Sequence, residues 1–139
     1  MIGVVLLSHG PAAQALLDSA ELILGEQGQA CALGLRSEDG PESFRQSLRE
    51  AITHVDTGEG VLIMVDMFGG TPANTVAAAL REEPFHCLCG MNLAMLLEAL
   101  LSRDMMPLPE LAKYVLRKGR ASVCDLGLAL ARHRGHETN

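Results

Sequence analysis

The sequence predicts a doubly wound α/β domain with a mainly parallel, four-stranded sheet and helices on both faces. Short apolar runs of strand length alternate with longer segments in which apolar residues recur at helical spacing. The runs are apolar throughout, which is typical of parallel strands buried on both faces. A chain of 139 residues with 48% hydrophobic content is long enough for one such domain.

Two strand-helix units are predicted in the N-terminal half. A strand over 2–7 leads into a helix whose apolar residues recur until Gly25. A second, weaker strand over 30–35 is followed by a polar loop through Gly40 and Pro41. An amphipathic helix comes next, with apolar residues Phe44, Leu48, Ala51, Ile52 and Val55.

Two further units follow. A strand over 61–65 ends before Asp66, and the next helix begins with Thr71 as its N-cap and Pro72 as its first residue. A strand over 85–89 and a turn at 90–92 precede a leucine-rich helix over 93–101, and another helix is predicted over 108–118. The segment 121–126 is compatible with a short edge strand or a helix. We expect a single domain over 1–131 and a frayed polar tail over 132–139.

Composition narrows the class of function. No apolar run approaches the roughly 20 residues that cross a bilayer, and no signal peptide is present, so we expect a cytoplasmic protein. A net charge of −6 without a Lys/Arg stripe argues against nucleic acid or anionic lipid as the main partner. A protein surface or a small molecule is favoured.

The positions of the four cysteines favour a packing role over a metal site or a disulfide. Three lie in apolar segments, where cysteine is usually a small buried hydrophobe. Cys87 and Cys89 would share one face of a strand, but their spacing is not Cys-x-x-Cys and no second ligand pair follows at a zinc-like distance. We therefore predict no metal site.

Parallel topology predicts a functional site, because the carboxyl ends of the strands meet at one edge of the sheet. The residues expected to converge there are His9, Asp66, Gly69, Gly70, Thr71 and Asn92. His86, at the start of its strand, belongs to the opposite edge, and His54 falls at a helix end.

These groups suit phosphoryl capture on nitrogen. A neutral His9 ring offers a nucleophilic nitrogen, and Asp66 would fix its tautomer by accepting a hydrogen bond from the other ring N–H. Backbone N–H groups around Gly10 and Gly69-Gly70, with the Thr71 hydroxyl, would hold phosphoryl oxygens without a metal. No nucleotide-binding glycine motif is present, so a phosphoprotein is the favoured source. Ser8, Phe68 and Asn92 are candidate rim residues.

Each residue also has a structural interpretation. His9 alone is compatible with a hydrogen-bonded loop residue, Asp66 with the brace of a turn, and Asn92 with a helix cap. Gly69 and Gly70 are compatible with relief of backbone crowding. The combination at one sheet edge favours the functional interpretation.

Four segments carry a family resemblance: Ser8-His9-Gly10, Leu24-Gly25-Glu26-Gln27, residues 60–74 with Val65-Asp66-Met67-Phe68-Gly69-Gly70-Thr71-Pro72, and residues 90–104. Through them the chain resembles the mannose-family IIA components of the bacterial phosphoenolpyruvate-dependent sugar phosphotransferase system. Residues 34–41 depart from the family pattern.

The resemblance implies that the histidine phosphocarrier protein phosphorylates His9, which then passes the phosphoryl group to a separate IIB component. Asp66 would be the hydrogen-bonding partner of His9, and Thr71 a phosphoryl contact. The resemblance also implies a homodimer that exchanges an edge strand around 121–126, indirect cooperation with membrane IIC and IID components, and no cofactor.

Two other hypotheses remain open. A chelatase-like metal enzyme also carries a histidine after its first strand, but it needs a second ligand at the same edge, and none of the other histidines is expected there: His54, His86, His133 and His136. A regulatory module controlled by phosphorylation would use the same residues as a transport protein.

Overall fold

The computed structural model describes residues 1–81 and 85–137. In this part of the chain four strands alternate with the helices. The strands are β1 (Gly3–His9), β2 (Ala30–Leu35), β3 (Val61–Val65) and β4 (His86–Cys89). The helices are α1 (Ala12–Leu24), α2 (Pro41–Val55), α3 (Thr71–Ala79), α4 (Leu93–Ser102), α5 (Leu108–Ser122) and α6 (Leu126–Glu137).

The sheet has the order β2-β1-β3-β4, and all three strand pairs are parallel. From β1 the chain moves outward to β2, then returns past β1 to form β3 and β4. The order therefore reverses between β1 and β3, which is where ligands bind in open sheets of this kind. The predicted doubly wound fold with a four-stranded parallel sheet is confirmed.

Helices cover both faces because successive strand residues point in opposite directions. Val4 and Leu6 belong to a core that includes residues of α1, α4 and α5. Val5 and Leu7 belong to a second core with residues of α2 and α3. The central strands β1 and β3 are thus buried on both faces, as their continuous apolar runs predicted.

The strand β1 is longer than predicted. It continues through Ser8 to His9, which pairs with Leu35 of β2. The histidine is therefore the last residue of a strand and is anchored by the sheet, not part of the turn that follows.

The buried side chain of Arg103 ties the end of α4 to the opposite, amino-terminal edge of the sheet. Its guanidinium donates hydrogen bonds to the carbonyl oxygens of Ile2, Gly28 and Gln29 and to Oε1 of Gln27. With 3% of its surface exposed, it organises a loop far from the carboxyl edge.

The C-terminal segment differs from both predicted forms. Ala121 and Ser122 complete α5, residues 123–125 link it to α6, and no strand forms over 121–126 in the single chain. α6 extends through part of the predicted polar tail, and every residue from 121 to 135 is exposed. The division into a domain over 1–131 and a tail stays a prediction.

Two surface features also differ from expectation. Cys31 and Cys87 are half-buried, but Cys89 and Cys124 are exposed, since Cys89 ends the edge strand β4. Lys113, Arg117 and Arg120 lie one helical turn apart on the exposed side of α5, forming a short basic stripe. Within residues 1–81 and 85–137, no helix has the length and hydropathy needed to span a bilayer.

Candidate functional site

The carboxyl edge of the sheet brings His9 and Asp66 into direct contact. The ring Nδ1 of His9 lies 2.7 Å from Oδ2 of Asp66. The backbone N–H of His9 donates to the same oxygen at 2.9 Å. The His9 side chain is 49% exposed and that of Asp66 is 23% exposed, so a partner can reach the imidazole while the carboxylate stays partly shielded.

Strand register creates this contact. Leu7 pairs with Val65, so β1 continues for two residues beyond the end of β3. The backbone N–H of Asp66 donates to the Leu7 carbonyl at 3.1 Å and keeps the chain beside β1 as it leaves the sheet. The carboxylate then lies directly against the last residue of the longer strand.

The environment of Asp66 favours the ionised carboxylate. Burial alone would raise its pKa, but hydrogen bonds from the backbone and ring of His9, the charge of that ring and the backbone N–H of Met67 together lower the pKa below its usual value. An ionised carboxylate only accepts hydrogen bonds, so His9 must donate through Nδ1. The other ring nitrogen, Nε2, is then left with a free lone pair in the neutral imidazole.

Gly70 leaves room for this ring. A Cβ built on Gly70 would lie 2.8 Å from Cε1 and 3.3 Å from Nε2 of His9. Gly70 is also the N-cap of α3, whose aligned peptide dipoles favour negative charge at this end. The half-exposed ring, with its Nε2, thus lies beside a helix N-terminus.

Thr71 is the first helical residue of α3 and not its N-cap, which corrects the sequence prediction. Its side chain forms no cap hydrogen bond and is exposed beside Gly70. Gly69, the residue before Gly70, has a φ of +86° that turns the chain from β3 into α3. The two glycines therefore form the turn into α3, and the Thr71 hydroxyl does not cap the helix.

Gly10 contributes differently from the prediction. Its backbone N–H donates to the Leu35 carbonyl at 2.8 Å, so this donor is already used in the sheet and is not directed at a phosphoryl group. A φ of +57° lets Gly10 turn the chain toward α1. Gly34 permits the close approach, since a Cβ there would lie 2.2 Å from the Gly10 carbonyl oxygen.

Ser8 is not a rim residue. It is completely buried, and its hydroxyl accepts a hydrogen bond from the backbone N–H of Ala13 at 2.7 Å while donating to the Gly10 carbonyl. The Ser8 hydroxyl thus gives a partner to one of the backbone N–H groups in the first turn of α1, which have none within the helix. Its role is to hold the turn that follows His9.

The other two rim candidates lie on the loops of the same edge. Phe68 is 85% exposed, and its neighbour Met67 is also largely exposed. Asn92 follows β4 and caps α4 by accepting a hydrogen bond from the backbone N–H of Met95 at 3.0 Å. The structural role considered for Asn92 is therefore present, whereas Phe68 offers apolar surface to a partner.

Arg36, the first residue after β2, was not among the predicted site residues. It lines a depression of about 380 Å³ together with Gly10, Gln14 and Gly34, on the side of His9 away from α3. Its position at the carboxyl end of a parallel strand was the signal that would have identified it. Arg36 adds a cation to the surface around the histidine.

The arrangement does not favour the metal-enzyme hypothesis. His54 lies in the last turn of α2, and His86 begins β4 at the amino edge, so neither supplies a second ligand next to His9. Among the residues that the structure describes, no three His, Cys, Asp or Glu side chains cluster in a way that could hold a metal ion.

Comparisons with known proteins agree with this architecture. A family model described as "PTS system fructose IIA component" matches residues 3–116. The fructose-specific EIIA component of Bacillus subtilis is 32% identical over 112 residues, covering 80% of this chain and 77% of that protein. The crystal structure of the EIIA component from Streptococcus agalactiae superposes with a TM-score of 0.84 at 28% identity, covering 92% of this chain and 99% of the other.

The mannose-specific EIIAB component of Escherichia coli K12 is 33% identical over 124 residues, which cover 88% of this chain. The match spans 38% of the length of that longer relative. Because the family model covers most of the present chain, the chain belongs to the mannose-family IIA components of the sugar phosphotransferase system.

Proposed function

We propose that this protein is a phosphocarrier in which His9 takes a phosphoryl group from the histidine phosphocarrier protein and delivers it to a IIB component for sugar uptake. The observation that carries the proposal is the 2.7 Å contact between His9 Nδ1 and Asp66. This contact leaves Nε2 of the half-exposed ring as the nucleophile beside the N-terminus of α3. Membrane IIC and IID components take part indirectly.

The transfer is a displacement at phosphorus. The Nε2 lone pair of His9 forms the new N–P bond while the N–P bond of the donor breaks, and the donor nitrogen keeps that electron pair. The His9 ring gains positive charge, which the ionised Asp66 stabilises through Nδ1–H. Transfer to the IIB component repeats the displacement with His9 as the leaving group.

Several groups are proposed to hold the phosphoryl oxygens. The N–H groups of Gly69 and Gly70 and the Thr71 hydroxyl lie at the start of α3, where an anion is favoured. Met67 and Phe68 after β3 and Arg36 after β2 add exposed apolar and cationic surface at the same edge of the sheet. A phosphoprotein donor covers such a surface and excludes water during transfer.

We further propose a homodimer that exchanges a C-terminal edge strand around 121–126. Two observations support it. In the described sheet β4 has a strand partner on one side only. The chain beyond α5 exposes Val123, Leu126, Leu128 and Leu130. Pairing that segment with β4 of a second copy would cover both features.

His9→Ala will abolish phosphorylation, because no other side chain that the structure describes at this edge of the sheet carries an imidazole nitrogen. The protein is incubated with phosphoenolpyruvate, enzyme I and the phosphocarrier protein, and its intact mass is measured before and after acid treatment. Wild type gains one acid-labile phosphate. The matched variant His54→Ala, at a helix end, gains it as well. Phosphate on the His9→Ala protein would refute the proposal.

Asp66→Asn will keep the fold but slow transfer by about 100-fold or more, because a neutral amide neither stabilises the charged ring nor enforces the Nδ1–H tautomer. Rapid-quench kinetics with the phosphorylated carrier protein provide the rate. Asp18→Asn, on the exposed side of α1, is the control. An unchanged rate for Asp66→Asn would remove this carboxylate from the mechanism.

Gly70→Ala will displace the His9 ring, since the added Cβ meets Cε1 at 2.8 Å. The half-exposed ring can swing away, so we expect a folded protein with transfer reduced by about 10- to 100-fold. The same kinetic assay measures the transfer rate, and a thermal unfolding curve shows whether the variant has lost stability. Gly28→Ala, where a Cβ meets no atom within 4 Å, serves as the control. Equal rates for both variants would contradict the proposed crowding.

The dimer is tested by light scattering and sedimentation equilibrium across a range of concentrations. We expect twice the chain mass for wild type and weakened association for Val123→Asp/Leu126→Asp, which places charge in the exchanged segment. Leu22→Asp, at an 88% exposed position of α1, should leave the mass unchanged. A monomeric wild type would rule out the exchange.

A further inference from the structure

Arg36 lines a depression at the carboxyl edge of the sheet, on the face that α1 covers. Ala32, Gly34 and Arg36 occupy alternate positions along the chain, so they share one face of β2 and its extension. The depression has a volume of about 380 Å³, and its other lining residues lie at the end of β1 and the start of α1: Gly10, Pro11 and Gln14. A group from another molecule can therefore enter beside the residue that follows His9.

Arg36 is the only charged side chain among the described residues that line the depression. Within residues 1–81 and 85–137, no carboxylate lies within ion-pairing distance of its guanidinium. The neighbouring acidic side chains have other partners. Asp39 accepts the backbone N–H of Arg36 at 2.8 Å and lines a separate hollow beside α2, and Glu38 accepts from a serine hydroxyl. On α1, Asp18 accepts from the Gln14 amide. The guanidinium is thus left to donate two parallel hydrogen bonds to a carboxylate of another molecule.

Arg36 does not face the reacting nitrogen. Successive residues of β1 point to opposite faces, so the Ser8 hydroxyl bonds to the backbone of α1 while the His9 ring lies against Gly70 at the start of α3. Leu35 pairs with His9, which places Arg36 one residue beyond the histidine but on the α1 side. This position suits a residue that binds the surface of a partner, and not one that contacts the phosphoryl group during transfer.

We propose that Arg36 and this depression receive an acidic side chain of the IIB component when that protein docks to accept the phosphoryl group from His9. Even a weak protein encounter buries on the order of 500 Å² of each partner. An interface of that size extends well beyond the spacing of about 5 Å between neighbouring strands, so a protein that reaches His9 also covers Arg36. The inference rests on the proposed function, because it concerns the partner of the same site.

The choice of partner follows from the place of Arg36 in the sequence. The residues proposed to hold the histidine and the anion belong to segments with the family pattern, whereas Arg36 lies in residues 34–41, which depart from it. The resemblance implies one donor for the whole family, the histidine phosphocarrier protein. A contact outside the shared pattern therefore suits the acceptor that serves this chain, and its acidic side chain is the occupant.

The test compares the binding of wild type and Arg36→Glu to the IIB component that serves this chain. Dissociation constants of the unphosphorylated proteins are measured by isothermal titration calorimetry at low and at high ionic strength. Arg36→Glu should weaken binding by about 10-fold or more at low salt, because a carboxylate then faces a carboxylate, and the difference should shrink as salt screens the charges. Rapid-quench transfer assays should show a raised KM for the IIB component with kcat unchanged, since Arg36 does not contact the reacting atoms.

The matched control is Arg49→Glu, which makes the same charge change on the exposed side of α2 and should leave binding unchanged. Thermal unfolding verifies the fold of each variant. Equal dissociation constants for wild type and Arg36→Glu would overturn the proposal, as would an equal loss of binding in Arg49→Glu. Slower loading of Arg36→Glu by the phosphocarrier protein with normal IIB binding would also overturn it, by assigning the arginine to the donor. Because binding is measured without phosphate, a failure of phosphorylation at His9 and a failure of this contact are separate results.

Discussion

The carboxylate of Asp66 is the interaction on which the site depends. One of its oxygens accepts hydrogen bonds from both the backbone and the ring of His9, and the other accepts from the backbone N–H of Met67. The same side chain therefore fixes the end of β1, the orientation of the His9 ring and the backbone of Met67 in the loop after β3. A displaced Asp66 carboxylate would therefore change the end of β1, the tautomer of the His9 ring and the loop after β3 at the same time.

The topology explains why one side chain can do this. β1 and β3 are neighbours in space but are separated in sequence by α1, β2 and α2, and the strand order reverses between them. A crevice forms between β1 and β3, because the connections that leave these two strands lead to helices on opposite faces of the sheet. Because β1 runs two residues past β3, its last residue projects into that crevice beside the start of α3. The parallel pairing and its register thus place the half-exposed ring of His9 at the edge of the sheet, next to a helix N-terminus that favours an anion.

The sequence predicted this convergence because it follows from strand direction and not from side-chain detail. The apolar run at 61–65 became β3 with the predicted bounds, and the turn chemistry after it placed Asp66 at the edge. The partners of individual polar groups were not predictable from pattern. The Gly10 N–H bonds to the Leu35 carbonyl and the Ser8 hydroxyl supports α1, because β1 extends further than its apolar residues indicate.

In the C-terminal segment the apolar pattern of the sequence does not predict the observed secondary structure. Leu126, Leu128 and Leu130 alternate with small residues, a period that suits a strand with one apolar face. In α6 the same residues leave all three leucines exposed. An isolated strand would lack partners for its backbone N–H and C=O groups, whereas a helix satisfies them internally. The helix thus follows from backbone hydrogen bonding, although it leaves the three leucines exposed to solvent.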